Sequence, residues 1–193
     1  MPEIRHPQYL PILLICLLSC THVHPKLADN AGVHPVHLIS SIKESDGDVK
    51  IDGSVISDNK NLLAFVNDIR ESTMVLSNNL EGIPPFIKSF LERAGGGRFS
   101  IANPGKAWNC CDGNWDDSLP NRELICYGMD KTLFLISYKT GGIGETGHVI
   151  LMRYLNNKVT DFWTGTSLLD LNSKKAILKY LTLPGNKHGW QYI

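Results

Sequence analysis

The chain has 193 residues and a mass of 21.5 kDa, enough for one domain that buries its own core without needing disulfides to fold. Its hydrophobic fraction of 42% and charged fraction of 20% exclude a largely disordered chain. Nineteen basic residues balance nineteen acidic ones, so we expect no nucleic-acid partner, because phosphate binding needs a surplus of Lys and Arg.

The N-terminal segment carries a short apolar run from Tyr9 to Leu18. The run has about ten residues, whereas a helix that crosses a bilayer needs roughly 20. It follows Arg5 and the α-amino group, which give the preceding stretch a weak positive charge. A basic start followed by a short apolar run predicts a secretory signal peptide over residues 1–19.

The apolar run ends in a four-residue motif, Leu17-Leu18-Ser19-Cys20. The motif resembles the lipobox of bacterial lipoproteins: a branched residue, a tolerated one, a small one and then cysteine. This resemblance implies that Cys20 becomes the lipidated, palmitate-bearing first residue of the mature chain. With Thr21 rather than Asp next, it also implies delivery to the outer membrane, facing the periplasm. The alternative is an ordinary signal peptide that is cut at another site.

Residues 20–57 are interrupted by Gly and Pro and show no clear periodicity, which predicts an extended tether. The segment holds four histidines within sixteen residues, at positions 22, 24, 34 and 37. Histidine-rich tracts can bind metal, but a metal site needs fixed geometry, which this segment does not promise. We therefore expect no metal and no cofactor. Residues 36–42 and 49–56 are candidate short strands.

Residues 58–193 carry the periodic patterns of a globular domain. A stripe of apolar residues at three- and four-residue steps, from Leu62 through Leu76 to Leu80, predicts an amphipathic helix. Pro84 and Pro85 suit the first turn of a second helix. A last helix is predicted over 173–181, capped by Ser167 or Ser173.

Between the second and last helices the pattern changes to branched and aromatic residues. Short turns separate four candidate strands, which are residues 122–129, 132–139, 148–155 and 159–163. Consecutive strands joined in this way form an antiparallel meander, and the second is apolar on both faces, so it should be central. The sequence thus predicts an α+β fold: two N-terminal helices, a meander of about four strands and a C-terminal helix.

Three cysteines lie within the predicted domain. In an oxidising envelope compartment a disulfide is expected, and Cys126 would pair with either Cys110 or Cys111. The closed loop of about 15 residues would contribute roughly 3 kcal/mol in the chain-entropy view. A bond between the neighbours Cys110 and Cys111 is the strained alternative, and one thiol stays free.

A cysteine hydrolase is the sharpest catalytic hypothesis. It needs a thiolate, a histidine to activate it and a polar group to orient the histidine. Here these would be Cys110 or Cys111, His148 and Asp161. The stretch GHVILMRYLNNKV faintly resembles the histidine strand of NlpC/P60 and CHAP cell-wall hydrolases. In those families the cysteine opens a helix, and the residues after Cys111 do not favour one. The alternative for His148 is a structural residue of a strand.

The segment WNCCDGNW, from Trp108 to Trp115, is the other candidate surface. Trp is enriched where proteins bind one another, so the two indoles predict a binding loop; a turn folded onto the sheet is the alternative. We expect an envelope protein that binds a protein partner or envelope component and performs no chemistry. Toxin-neutralising immunity lipoproteins share this size and address, an analogy of architecture alone.

Overall fold

The structure, a computed structural model, describes residues 58–97, 99–111, 113 and 115–184. The predicted signal peptide, the lipobox, the tether and its two candidate strands lie outside the described residues. Within these residues three α-helices are present, and they are α1 (Leu62–Glu71), α2 (Pro85–Ala94) and α3 (Lys174–Leu181). The same residues form five strands, which are β1 (Leu76–Ser77), β2 (Arg122–Met129), β3 (Leu133–Thr140), β4 (Thr146–Leu155) and β5 (Lys158–Ser167).

The strands form one antiparallel sheet in the order β1-β2-β3-β4-β5, which confirms the predicted α+β meander. β3 is central, and its residues from Leu133 to Tyr138 are buried, as its apolar sequence predicts. A bulge interrupts β2 at Ile125, and another interrupts β5 at Thr160, opposite Arg153 and Tyr154.

Helices cover both faces of this sheet. On one face Phe90 of α2 meets Phe162 of β5 edge-on, with ring centroids 5.6 Å apart. On the other face Trp163, the next residue of β5, packs near Tyr180 of α3 with centroids 6.5 Å apart. Since neighbouring strand residues point to opposite faces, α2 and the α1–α3 pair bury opposite sides of the sheet.

The first helix is shorter than its apolar stripe predicts. α1 ends at Glu71, where Ser72 turns to an extended conformation and its hydroxyl donates to the carbonyl of Ile69 at 2.8 Å. Leu76 instead begins β1, opposite Gly128 of β2. A Cβ at Gly128 would lie 2.7 Å from the Leu76 side chain, so the missing side chain lets the strand approach. The prediction of a helix through Leu80 is therefore wrong, and the meander gains a fifth strand.

The other helix boundaries follow their predicted caps. α2 begins at Pro85, and α3 begins after Ser173, whose hydroxyl accepts from the amide of Ala176 at 3.2 Å. Ser167, the alternative cap, ends β5 and accepts from the amide of Leu169 at 2.9 Å.

A charged cluster fastens α1 to its face of the sheet. Arg153 of β4 pairs with Asp68 at 2.6 Å and with Asp161 at 2.7 Å, and its guanidinium lies 4.3 Å from the ring centroid of Phe65. The Asn61 amide donates to Asp161 at 2.7 Å, so one basic group joins the helix to two neighbouring strands.

Candidate functional site

The loop from Trp108 to Leu119, here called the Trp loop, is closed by the buried side chain of Asn109. The Asn109 amide donates to the carbonyls of Asp116 at 2.8 Å and Leu119 at 3.2 Å, and its oxygen accepts from the amide of Asp116 at 3.0 Å. The backbone amide of Asn109 donates to Pro120 at 2.8 Å. The Asn109 side chain thus holds this loop closed, a role that the sequence led us to expect of a disulfide.

The Trp loop lies against the turn between β3 and β4. Cys111 forms an isolated bridge with Gly142, and a Cβ at Gly141 would lie 2.3 Å from the backbone of Cys110. Only a glycine at position 141 leaves room for this approach. The contact fixes the loop at the end of the sheet where β2 begins and β5 ends.

Trp108, the first indole of the Trp loop, is half-buried. The ammonium of Lys139 lies 5.4 Å from its ring centroid and pairs with Glu123 at 2.9 Å and Glu145 at 3.2 Å. Bonds to the Glu123 carboxylate, together with the second pair, raise the pKa of Lys139 despite its partial burial. Trp108 therefore joins the Trp loop to β3 and is less open to solvent than Trp115.

Trp115 is the exposed indole, with 57% of its surface open to solvent. Its Nε1–H donates to Asp117 at 2.8 Å. The neighbouring Asp116 accepts from the hydroxyl of Ser118 at 2.7 Å and from its amide at 2.8 Å, and these bonds lower the pKa of that carboxyl. A turn held in this way presents Trp115 in one orientation without burying it.

A groove of about 350 Å³ opens beside Trp115. Its apolar lining comes from Phe99, Trp115 and Leu119, and its acidic lining comes from Glu92 of α2 and Asp117. A concave apolar surface with a few polar groups is the usual form of a binding site, and this volume lies at the small end of the range of roughly 300–1,000 Å³.

The three cysteines of the domain are free in the structure, so the expected disulfide is not formed. The Cys126 thiol is buried on β2, 3.1 Å from the hydroxyl of Ser137 on β3. Cys111 lies beside Gly142, which follows Ser137 by five residues in the chain. At about 3.3 Å per strand residue, on the order of 15 Å separates Cys126 from the exposed pair. A disulfide needs Cα atoms within about 7 Å, so the pairing would require a large backbone movement.

The alternative catalytic set, Cys110, His148 and Asp161, is not assembled. His148 lies opposite Thr166 on β5, and Asp161 lies opposite Arg153, five residues away along β4. That separation is about 16 Å along a strand. Asp161 is engaged by Arg153 and Asn61, so it orients an arginine and not an imidazole.

His148 is a buried residue of the sheet, with 4% of its surface exposed. Its Nε2 bonds to the Thr140 hydroxyl at 2.9 Å, and among the described residues its Nδ1 has no partner. Burial, reinforced by the charge of Arg122, lowers the pKa of His148 to about 4. A general base at neutral pH needs a pKa near 7 and contact with its nucleophile, and His148 has neither.

The described residues contain neither a metal-binding cluster nor a membrane-spanning helix. No group of three or more His, Cys, Asp or Glu side chains in that part of the chain could hold a metal ion. No helix within the same residues is long and apolar enough to cross a membrane.

Comparison with known proteins adds no relative. No protein-family model matches the chain, and neither a curated protein nor a solved structure shows significant similarity to it.

Sequence reasoning found Trp115 but missed most of its surroundings. Asn109 is one polar residue among several in the loop, and nothing in its neighbours indicates that it is buried. Phe99 reaches the groove from the glycine-rich turn after α2, and Glu92 reaches it from α2 itself. A glutamate on the polar side of an amphipathic helix gives no signal, because such residues are common on every solvated helix.

Proposed function

We propose that the chain is a lipid-anchored protein of the bacterial envelope, held at the outer membrane through Cys20 and facing the periplasm. Its domain binds a protein partner or envelope component through the Trp loop. An immunity-type lipoprotein is the class that we favour. The lipobox-like motif supports the anchor, and the exposed indole of Trp115 beside its groove carries the binding role.

Trp115 stands apart from the other described aromatic residues, all of which are buried or half-buried. Leaving a large indole in water forgoes the stabilisation of burying it, roughly 1.5–3 kcal/mol for a large apolar side chain. Trp at a rigid turn is the residue type that most often dominates protein–protein binding.

The same end of the sheet carries further exposed apolar residues, which favours a protein partner. Ile143 lies at the tip of the β3–β4 turn and is fully exposed, and Leu168 follows β5 and is largely exposed. The strand pairing places the β3–β4 turn, the end of β5 and the Trp loop next to one another, because Gly147 lies opposite Ser167 and Cys111 lies beside Gly142. Exposed apolar surface rimmed by polar groups is typical of interaction sites.

Metabolic labelling with a fatty-acid probe tests the anchor. Wild-type protein should take up label and sediment with membranes, and Cys20→Ser should do neither. Absence of label from the wild type contradicts the anchor.

Site-specific capture tests the binding role. Full-length tagged protein is cross-linked in the bacterial envelope as wild type, as Trp115→Ala and as Leu63→Ala. Leu63 is a similarly exposed apolar residue on α1 and serves as the matched control. A partner recovered with the wild type and with Leu63→Ala, but lost with Trp115→Ala at unchanged melting temperature, supports the proposal. Equal recovery with all three proteins overturns it.

A further inference from the structure

We infer that the groove beside Trp115 takes the side chain of an arginine presented by the protein partner. This inference rests on the proposed function and names the chemistry that the partner must carry. The groove is lined by acidic groups, and the domain already holds one of its own arginines between similar groups at Arg153.

Every ionisable side chain among the described lining residues is acidic. Glu92 and Asp117 form no ion pair with any described residue, although Asp117 accepts the indole N–H of Trp115. Ser100 and Asn121, which contact each other at 3.4 Å, are the neutral polar lining. A cation entering the groove would meet two carboxylates that no described residue neutralises in an ion pair.

An aromatic ring completes the complementarity to a guanidinium. Trp115 provides the open indole of the groove, whereas the ring of Phe99 already carries the guanidinium of Arg122, 4.6 Å from its centroid. A planar guanidinium can lie over an aromatic face while it donates two parallel hydrogen bonds to a carboxylate, which an ammonium cannot do. The groove therefore favours arginine over lysine.

The domain contains an internal example of the same set of groups. Arg153 lies over Phe65 and pairs with both Asp68 and Asp161, so one guanidinium is held by an aromatic ring and two carboxylates. The groove presents the indole of Trp115 and two carboxylates, and no arginine occurs among its described lining residues. The group that is missing from this set is a guanidinium, and we assign it to the partner.

Nuclear magnetic resonance of the indole N–H groups provides a direct test. Full-length protein in detergent micelles, labelled with ¹⁵N-tryptophan, gives signals from its four tryptophans, and Trp115→Phe identifies the signal of Trp115. The probe is acetyl-Gly-Arg-Gly-amide, and its control is the citrulline analogue, which keeps the shape and loses the charge. We expect a saturable shift of the Trp115 signal, with the citrulline peptide at least tenfold weaker. Equal binding of both peptides overturns the inference.

Charge-neutralising variants locate the site. Glu92→Gln with Asp117→Asn should weaken the arginine peptide at least tenfold, because both carboxylates are lost while the acceptor for the indole is kept. Glu71→Gln with Glu81→Gln removes the same charge outside the groove and should leave the affinity unchanged. Equal weakening by both pairs indicates a long-range effect of net charge and contradicts the site.

Arg98, which precedes Phe99 in the chain, lies outside the described residues, so the titration is repeated with Arg98→Gln. This variant removes an arginine of the chain itself as a competitor for the groove. Failure of the peptide to bind in both backgrounds overturns the inference.

Partner capture separates this inference from the proposed function. A partner that is lost with Trp115→Ala but kept in full with the Glu92→Gln, Asp117→Asn pair leaves the proposed function standing and refutes the arginine. A partner that is kept with Trp115→Ala refutes the proposed function itself.

Discussion

The imidazole of His148 lies parallel to the phenol ring of Tyr138, with ring centroids 4.9 Å apart and planes 7° apart. The two residues are direct neighbours across β3 and β4, and both are buried. Burial raises the pKa of Tyr138 to about 12 and lowers that of His148 to about 4, so both rings are neutral at physiological pH.

The neutral imidazole predicts acid sensitivity. A histidine in the unfolded chain titrates near 6.5, so between pH 6.5 and 4 the unfolded state binds the extra proton. The stability due to neutral His148 is complete above pH 6.5 and is lost as the pH falls towards 4. Between pH 7.5 and 4.5 we expect the free energy of unfolding to fall by about 2–3 kcal/mol from this group, measured by urea unfolding.

Two variants isolate the contribution of His148. His148→Phe keeps the stacked ring without a titratable group and should flatten this part of the pH profile. Thr140→Val removes the hydrogen bond to Nε2 and keeps the titrating ring, so its profile should keep the wild-type slope. A profile for His148→Phe as steep as that of the wild type would assign the acid sensitivity to other groups.

Replacing Arg153 should destabilise the domain more than replacing a surface lysine. Arg153→Ala removes two ion pairs and the contact with Phe65, whereas Lys60→Ala removes one exposed pair with Asp58. Because the Arg153 pairs are partly exposed, we expect a loss of about 1–2 kcal/mol, against less than about 0.5 kcal/mol for Lys60→Ala. Urea unfolding measures both. Arg153→Lys should recover only part of the loss, since an ammonium cannot form the planar double contact.

The three thiols should differ in reactivity in the purified protein. Cys110 and Cys111 are exposed, whereas burial of Cys126 raises the pKa of its thiol despite the bond to Ser137. The bond with the neighbouring thiol of Cys111 also raises the pKa of Cys110, so Cys110 should alkylate faster at pH 9 than at pH 7. Differential alkylation with mass spectrometry should modify both exposed residues before unfolding and Cys126 only afterwards. Protection of Cys126 together with one of the pair, removed only by reductant, would restore the disulfide.

Adding one methyl group to the β3–β4 turn should destabilise the domain at one position and have no effect three residues further along. Gly141→Ala places a Cβ 2.3 Å from the backbone of Cys110, so the Trp loop must shift, at a cost of about 1–3 kcal/mol for overpacking. Gly144→Ala lies in the same turn and meets nothing within 4 Å. Thermal melts should show a lower Tm for Gly141→Ala only. Equal melting of the two variants would mean that the loop does not rest on the turn.

The strands were predictable because their side-chain pattern reflects burial directly. Residues 122–129 coincide with β2, and the other three strands differ from their predicted ranges only at the ends. The predicted apolar stripe continued beyond the end of α1 at Glu71 for a related reason. Leu76 and Leu80 do pack against the core, so their spacing indicated burial correctly, but burial alone does not specify whether a helix or an edge strand provides it.

The candidate site was predictable only at a residue whose type stands out from its neighbours in the sequence. An indole in a polar loop is conspicuous, and Trp115 is exposed. The disulfide was expected from spacing along the chain. In the structure the Cys126 side chain lies against Leu171, whose carbonyl is 3.5 Å from its sulfur. Sequence separation gives no information about that direction. Asn109 and Glu92 gain their roles only from the tertiary arrangement, which brings the loop and α2 together.

The contacts between α1 and the end of the meander constrain the order in which the domain can assemble. Asn61 bonds to Asp161 across 100 residues of sequence, and Lys174 bonds to the carbonyl of Ser72 across 102. The hairpins β2–β3, β3–β4 and β4–β5 join neighbours in the chain and need only short loops to close, which is the fast kind of contact. The contacts of α1 on the sheet need β5, and those of α3 come last in the chain. A chain stopped before Lys174 would therefore keep the contacts of α1 but leave uncovered the part of that face where Tyr180 packs near Trp163.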